Sequence, residues 1–251
     1  EFSFDVYPYQ PGSTMLNYLL PYEVWDRGPL AALAAMQDLQ VKRRFAAGLE
    51  AYRLNLDHIR LAWVAGKENA VHQGKLLSQY VEESGRVAAD ALYDLLIEER
   101  LAVLLVFDEG EDRLVHPLLR HDLCMLGTDG IYFPDGAVHP RMYGSAGRWL
   151  GPAVRDWKLF SLEDAVYKAS GFAADRFRLR DVGAIREGAW ADLLVFDPAR
   201  MADRATYDDP HQTTVGVEHL LVSGVPVIRD GAPVPTDELP QPLPGRRVRS
   251  G

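Results

Sequence analysis

The chain has 251 residues, 47% of them hydrophobic and 25% charged, with a formal net charge of −9. That length and balance build one large globular domain or two smaller ones, no apolar stretch reaches membrane-spanning length, and the acid excess argues against nucleic acid or an anionic membrane as a partner. A single cysteine, Cys124, excludes an internal disulfide framework and fits a reducing cytoplasm, and Glu1-Phe2-Ser3-Phe4-Asp5 is no signal peptide.

Phe2, Phe4 and Val6 alternate with Glu1, Ser3 and Asp5, which is the period of a strand. Pro8, Pro11 and Gly12 break it and leave Tyr7, Tyr9, Ser13 and Thr14 on a loop. Binding groups cluster on such loops, and tyrosines beside prolines also serve as packing anchors. Residues 30–53 are mostly good helix formers around Leu33, Met36, Leu39 and Leu49, which makes one helix or a broken pair. Ile59, Leu61, Trp63 and Val64 read as a short strand. Leu76, Leu77, Tyr80 and Val81, then Ala88, Leu92, Leu95 and Leu96, recur at helical spacing, and residues 101–107 return to strand. The alternation predicts α/β architecture.

The apolar run Leu123-Cys124-Met125-Leu126 leads directly into Gly127-Thr128-Asp129-Gly130. A run of this kind bounded by glycine suits a strand covered on both faces, with Cys124 as a packed core thiol. Asp129 then stands at the carboxyl end of a buried strand, where α/β folds bind ligands. The same spacing fits a cap on the next helix or a tight turn with Gly130. Further on, Ser161-Leu162-Glu163-Asp164 opens a helix that Gly171 ends. Segments 217–222 and 225–228 flank Ser223-Gly224 as a hairpin, and the region from Gly183 reads as a small β unit. Pro233, Pro235, Pro240, Pro242 and Pro244 mark a stiff, coreless tail, in which Arg246-Arg247-Val248-Arg249 reads as solvated.

Several of these segments recur together in one known group. Asp5-Val6-Tyr7-Pro8-Tyr9 with Gly12-Ser13-Thr14, then Gly127-Thr128-Asp129-Gly130, then His139-Pro140-Arg141 with Tyr143-Gly144, resemble the N-acyl-D-amino-acid deacylase (D-aminoacylase) branch of the amidohydrolase superfamily. Gly-x-Ile-x-x-Gly-x-x-Ala-Asp-Leu at 183–193 resembles the usual superfamily ending. The resemblance implies an α/β fold: the last part of a (β/α)8 TIM-like barrel plus the C-terminal part of a small β-sandwich. On that reading, residues 1–180 carry barrel strands seven and eight with a helical insertion at about 22–107. Residues 181–232 belong to the sandwich, and 233–251 form the Pro-rich tail.

The resemblance also implies an activity, zinc-dependent hydrolysis of N-acyl-D-amino acids to a carboxylate and a free D-amino acid, with one or two zinc ions. Asp129 matches the aspartate that contacts the metal and shuttles the proton. Arg141 matches the arginine that grips the substrate's free carboxylate, and Tyr7 and Ser13 match residues that help hold that end. A bland reading of Arg141 is a structural salt bridge across the glycine-rich loop. The family's His-x-His pair and its remaining ligands all precede the seventh strand. The seven histidines here form neither His-x-His nor His-x-x-x-His, and His116 and His121 fall at the wrong end of their strand. Most zinc ligands are therefore expected from a missing N-terminal part, without which this chain is inactive. Departures from the usual pattern are Thr128, Gln10-Pro11, and Ser145-Ala146-Gly147 before Arg148. Two other readings are a non-catalytic fragment that binds a partner subunit or carboxylated ligand through Arg141 and Tyr7, and a cyclic-amide hydrolase of the dihydroorotase or hydantoinase kind.

Overall fold

Residues 2–250 are described by a computed structural model. Strand β1 (Phe4–Val6) and the proline-broken loop lead to β2 (Ser13–Met15). Helices α1 (Pro29–Ala35) and α2 (Leu39–Tyr52), strand β3 (Ile59–Val64), helices α3 (Leu77–Ser84) and α4 (Ala88–Glu98) and strand β4 (Val103–Phe107) follow. The short α5 (His116–Arg120) precedes β5 (Cys124–Leu126), and a long loop then reaches α6 (Arg141–Leu150), α7 (Pro152–Arg155), α8 (Leu162–Ala169) and α9 (Gly171–Arg176). The chain closes with β6 (Leu193–Phe196), β7 (Val217–Val222), β8 (Val225–Arg229) and β9 (Ala232–Pro233).

The helical run at 30–53 is a broken pair, because the Asp38 side chain accepts from the Gln40 N–H at 2.8 Å and starts α2 afresh. β1 and β5 pair in parallel, with Phe4 opposite Cys124 and Val6 opposite Leu126. A second sheet is antiparallel, in the order β2-β4-β3. Ser13 and Thr14 are thus in a strand and not on the loop that the prolines suggest. The apolar β4 has β3 on one edge, and Ser13–Met15 satisfies the backbone groups of the other.

Two larger apolar cores and a small one around Ala62, Leu104 and Val106 follow from this layout among the described residues. Leu61, Leu77, Leu92, Leu95, Leu96, Val103 and Leu105 pack with Phe45 into one, beneath α2, α3 and α4. Trp149, Cys124, Leu119, Ala165 and Met201 form another, against which Phe4, Val6 and Leu126 pack. Burial pushes the Cys124 thiol up to about 11, consistent with an inert core position. Asp5, between Phe4 and Val6, faces away from that core and is exposed.

Ser161 caps α8 by accepting from the Asp164 N–H at 3.1 Å. Gly171 does not end that helix: α8 stops at Ala169, and Gly171 begins α9, where a side chain would collide with the Tyr167 ring. The last four strands form one antiparallel sheet in chain order. Its central hairpin turns at Ser223 (φ 52°) and Gly224 (φ 82°), the left-handed pair that a two-residue turn requires. Gly216 (φ +87°) sits where a Cβ would lie 2.5 Å from the Met201 nitrogen. Gly216→Ala is therefore expected to lower the unfolding free energy by about 2–4 kcal/mol, read as a reduced urea midpoint with unchanged slope.

The tail is not free. Arg246 stacks over Trp190 at 4.1 Å and grips both Asp192 carboxylate oxygens at 3.0 and 2.6 Å, while Ser223 Oγ donates to the Pro244 carbonyl. Arg246 is therefore docked on the sheet, whereas Arg247 and Arg249 are exposed as the tail reading expects. Among the described residues no helix is long and apolar enough to cross a membrane.

Candidate functional site

The site forms where the chain leaves β5. The Gly127 N–H donates to the Val6 carbonyl at 3.2 Å, carrying the parallel pairing one residue beyond the strand. A side chain at 127 would overlap the Asp5 carboxylate, which lies across this position. Asp129 then takes a left-handed conformation (φ 42°), which aspartate tolerates better than most residues, on an extended loop without a tight turn. No helix starts here, so Asp129 is not a helix cap; the next helix begins at Arg141.

That helix brings Arg141 back to Asp129. Its Nε donates to the Asp129 carbonyl at 2.8 Å, and its Nη2 lies 2.7 Å from the Asp129 Oδ2. The guanidinium carbon stands 4.4 Å over the Tyr7 ring. The side chain of Arg141 is 1% exposed and that of Asp129 62%. The ion pair lies off the N–H directions, so both terminal nitrogens of Arg141 are buried without a hydrogen-bond partner. The structure thus brings together three of the four residues singled out in the sequence. Ser13 is engaged elsewhere: its hydroxyl donates to the Leu105 carbonyl at 2.7 Å, leaving it no proton to offer an anion.

A cavity of about 410 Å³ opens at this place, lined by Asp5, Val6, Tyr7, Tyr9, Gln10, Val115 and Asp129. Behind Tyr9 of its lining lies a second arginine-tyrosine layer. Arg148 lies two helical turns beyond Arg141 on the same face of α6 and stacks over Tyr9 at 3.7 Å. Its Nε donates to Asp203 at 2.8 Å, its Nη1 pairs with Asp112, and the Tyr9 hydroxyl donates to Asp203 at 3.1 Å. Burial pushes the Tyr9 phenol up, which keeps it protonated. Arg148 is therefore hydrogen-bonded to two carboxylates through Nε and Nη1, whereas Arg141 has a hydrogen bond only at Nε.

His139 joins the two segments. Its Nδ1 accepts the Arg141 backbone N–H at 3.0 Å, which leaves Nε2 to donate to the Pro11 carbonyl at 2.9 Å. Burial, with Arg141 close by, holds this ring down to about 3, so it is neutral and in one tautomer at physiological pH. The sequence reading places Tyr9 on the binding loop as a candidate or a packing anchor, but the roles of Arg148 and Asp203 and the bonding role of His139 escape it. The one available signal is the shared spacing, Tyr7 with Tyr9 on an extended segment and Arg141 with Arg148 on a helix.

As for metal, Asp129 offers one exposed carboxylate, already facing a cation. Among the described residues no group of three or more His, Cys, Asp or Glu stands ready to hold an ion. His116 stacks on Trp157, next to Val115 of the cavity lining, and His121 packs on Phe4 near the start of β5. The residues present thus fit one corner of a zinc site and not a whole one.

The sequence profile of the amidohydrolase family matches residues 100–228, just over half of the sequence, and the chain belongs to that family. Its relatives set the branch, that of the D-aminoacylases. An N-acyl-D-glutamate deacylase of Alcaligenes xylosoxydans xylosoxydans is 36% identical over 178 residues, covering 71% of this chain and 35% of the relative. A D-aminoacylase of the same organism is 32% identical over 232 residues, covering 92% and 40% respectively. The N-acyl-D-glutamate deacylase of Bordetella bronchiseptica, solved with zinc and a phosphonate mimic of the tetrahedral intermediate, superposes with a TM-score of 0.67 at 28% identity. That match covers 93% of this chain and 42% of the solved one. The chain therefore spans about two fifths of the length of the proteins it resembles.

Proposed function

We propose that this chain is the C-terminal part of a zinc-dependent N-acyl-D-amino-acid deacylase, which splits the amide bond to a carboxylate and a free D-amino acid. The observation that carries the reading is Arg141. A buried guanidinium, stacked on Tyr7, with Nη1 unpartnered and Nη2 ion-paired to Asp129 but not hydrogen-bonded, is suited to receive a carboxylate along its terminal edge. A linear N-acyl amino acid has such a group. A hydantoin need have none, so this observation disfavours the hydantoinase kind, while a dihydroorotate, which has a carboxylate, is separated by the substrate test below.

In this reading β1 and β5 are barrel strands seven and eight, residues 1–180 are the barrel portion with the insertion at about 22–107, 181–232 belong to a β-sandwich, and 233–251 are the tail. Asp129 supplies one zinc ligand and the carboxylate that carries the proton from the attacking water to the leaving amine. Zinc, when bound, makes a water acidic enough to attack at neutral pH. Tyr7 shields the carboxylate-binding face of Arg141, whereas Ser13, its hydroxyl held by the Leu105 carbonyl, is given no part in holding the substrate. The remaining ligands come from an N-terminal part. Support for a missing partner comes from Ile185 at 91% exposure and from Leu194 and Val195 standing exposed on β6.

The test is zinc content and hydrolysis of N-acetyl-D-amino acids, for the chain alone and joined to the N-terminal part. The expected result is neither property alone and both together. Stoichiometric zinc and full activity in the chain alone would sink the division of ligands. A complete protein that cleaves cyclic ureides and ignores linear N-acyl-D-amino acids would sink the substrate assignment.

A further inference from the structure

We propose that His139 is a positioning residue that locks loop 7–13 and Arg141 into a single carboxylate receptor. The inference rests on the deacylase reading above and adds a role that Tyr7 and Arg141 cannot fill themselves. Tyr7 and Arg141 lie on separate segments, and their stacking at 4.4 Å holds only while both segments keep their places. Each segment offers a backbone group that secondary structure does not use. The Arg141 N–H is the first of α6 and has no carbonyl four residues behind it in the helix. The Pro11 carbonyl lies between β1 and β2.

The His139 ring satisfies both, accepting from Arg141 at 3.0 Å and donating to Pro11 at 2.9 Å. Because one nitrogen accepts and the other donates, only the neutral imidazole with its proton on Nε2 completes the bridge. The ring is 3% exposed and meets three tyrosines edge-on: Tyr9 at 5.5 Å, Tyr207 at 5.2 Å and Tyr7 itself at 6.1 Å. The Tyr207 hydroxyl lies 3.3 Å from Nε2 and steadies the donating side. His139 touches neither the cavity nor Asp129, so it acts on the substrate through Arg141 and Tyr7 alone.

Two variants of the complete enzyme separate the two bonds. His139→Asn keeps an acceptor near Nδ1 but does not reach Pro11, and His139→Gln keeps a donor near Nε2 but misplaces the cap on Arg141. Each is measured on an N-acyl-D-amino acid and on the corresponding α-amide, which has the same scissile bond and no carboxylate. With one hydrogen bond lost, KM for the acid is expected to rise about tenfold and kcat to change by less than about threefold. The KM for the α-amide is expected to stay put. Equal losses on acid and amide, or no loss on either, would overturn the proposal, since a merely structural role does not distinguish the two. If one variant fails to fold, the other carries the same comparison; if both fail, His139 serves stability alone and the proposal is overturned. A wild-type enzyme inactive on linear N-acyl-D-amino acids would overturn the deacylase reading as well, which keeps the two failures distinct.

Discussion

Arg141→Lys is expected to lower kcat/KM for N-acyl-D-amino acids by at least about thirtyfold, mostly through KM, while leaving the α-amides almost unaffected. Lysine keeps the charge and loses everything else that the geometry uses. It has no Nε–H to hold the Asp129 carbonyl, which Arg141 reaches at 2.8 Å, and no plane to lie on the Tyr7 ring. Its ammonium is a point donor in place of a fork, and a bidentate carboxylate needs the fork. Truncating one partner of a buried, hydrogen-bonded charge pair costs about 2–5 kcal/mol, or roughly 30-fold to several thousand-fold in binding. Because the Arg141 side chain is 1% exposed, the loss falls in that range and not in the small range of surface pairs. Steady-state kinetics on the acid and amide series read the effect. A lysine variant with wild-type KM for the acid would remove Arg141 from substrate binding and leave it as the salt bridge across the loop.

The contrast between Arg141 and Arg148 shows why part of this site is legible in the sequence and part is not. Arg141 sits in a short motif with His139 and Pro140, and the resemblance of that motif to the D-aminoacylase pattern singles it out. The partners of Arg148, Asp112 and Asp203, lie 36 and 55 positions away and meet it only after α6 has packed. Periodicity carries no trace of a pairing of that range. The same holds for the strands. β1 alternates, and the Ser223-Gly224 hairpin demands left-handed residues, so both declare themselves. β2 is three residues long, and its partner Leu105 stands 92 positions from Ser13. Its identity comes from the vacant edge of β4 and not from its own composition. Arg246 belongs with these cases, since a basic terminal run looks solvated until Asp192 and Trp190 fold beneath it.

Asp129→Asn separates chemistry from architecture more sharply than any other change. The substitution preserves size and the left-handed preference of the position (φ 42°), and the Arg141 Nε bond survives because it goes to the Asp129 backbone carbonyl. What disappears is a carboxylate, 62% exposed, that faces a guanidinium only 1% exposed, so the buried charge loses its anion while water screens part of the cost, for a loss of about 1–3 kcal/mol. The denaturation midpoint is therefore expected to fall modestly. In the complete enzyme kcat is expected to fall by about a thousandfold or more, because an amide can neither accept the proton from water nor return it to the amine. Zinc affinity should drop as well, since a neutral oxygen replaces an anionic ligand, whereas binding of a free D-amino acid carboxylate at Arg141 should persist or tighten once its neighbouring anion is gone. Calorimetry on the variant reads both. Retained kcat would strip Asp129 of the proton-carrying role, and a large loss of stability with unchanged kcat would make it a structural partner of Arg141.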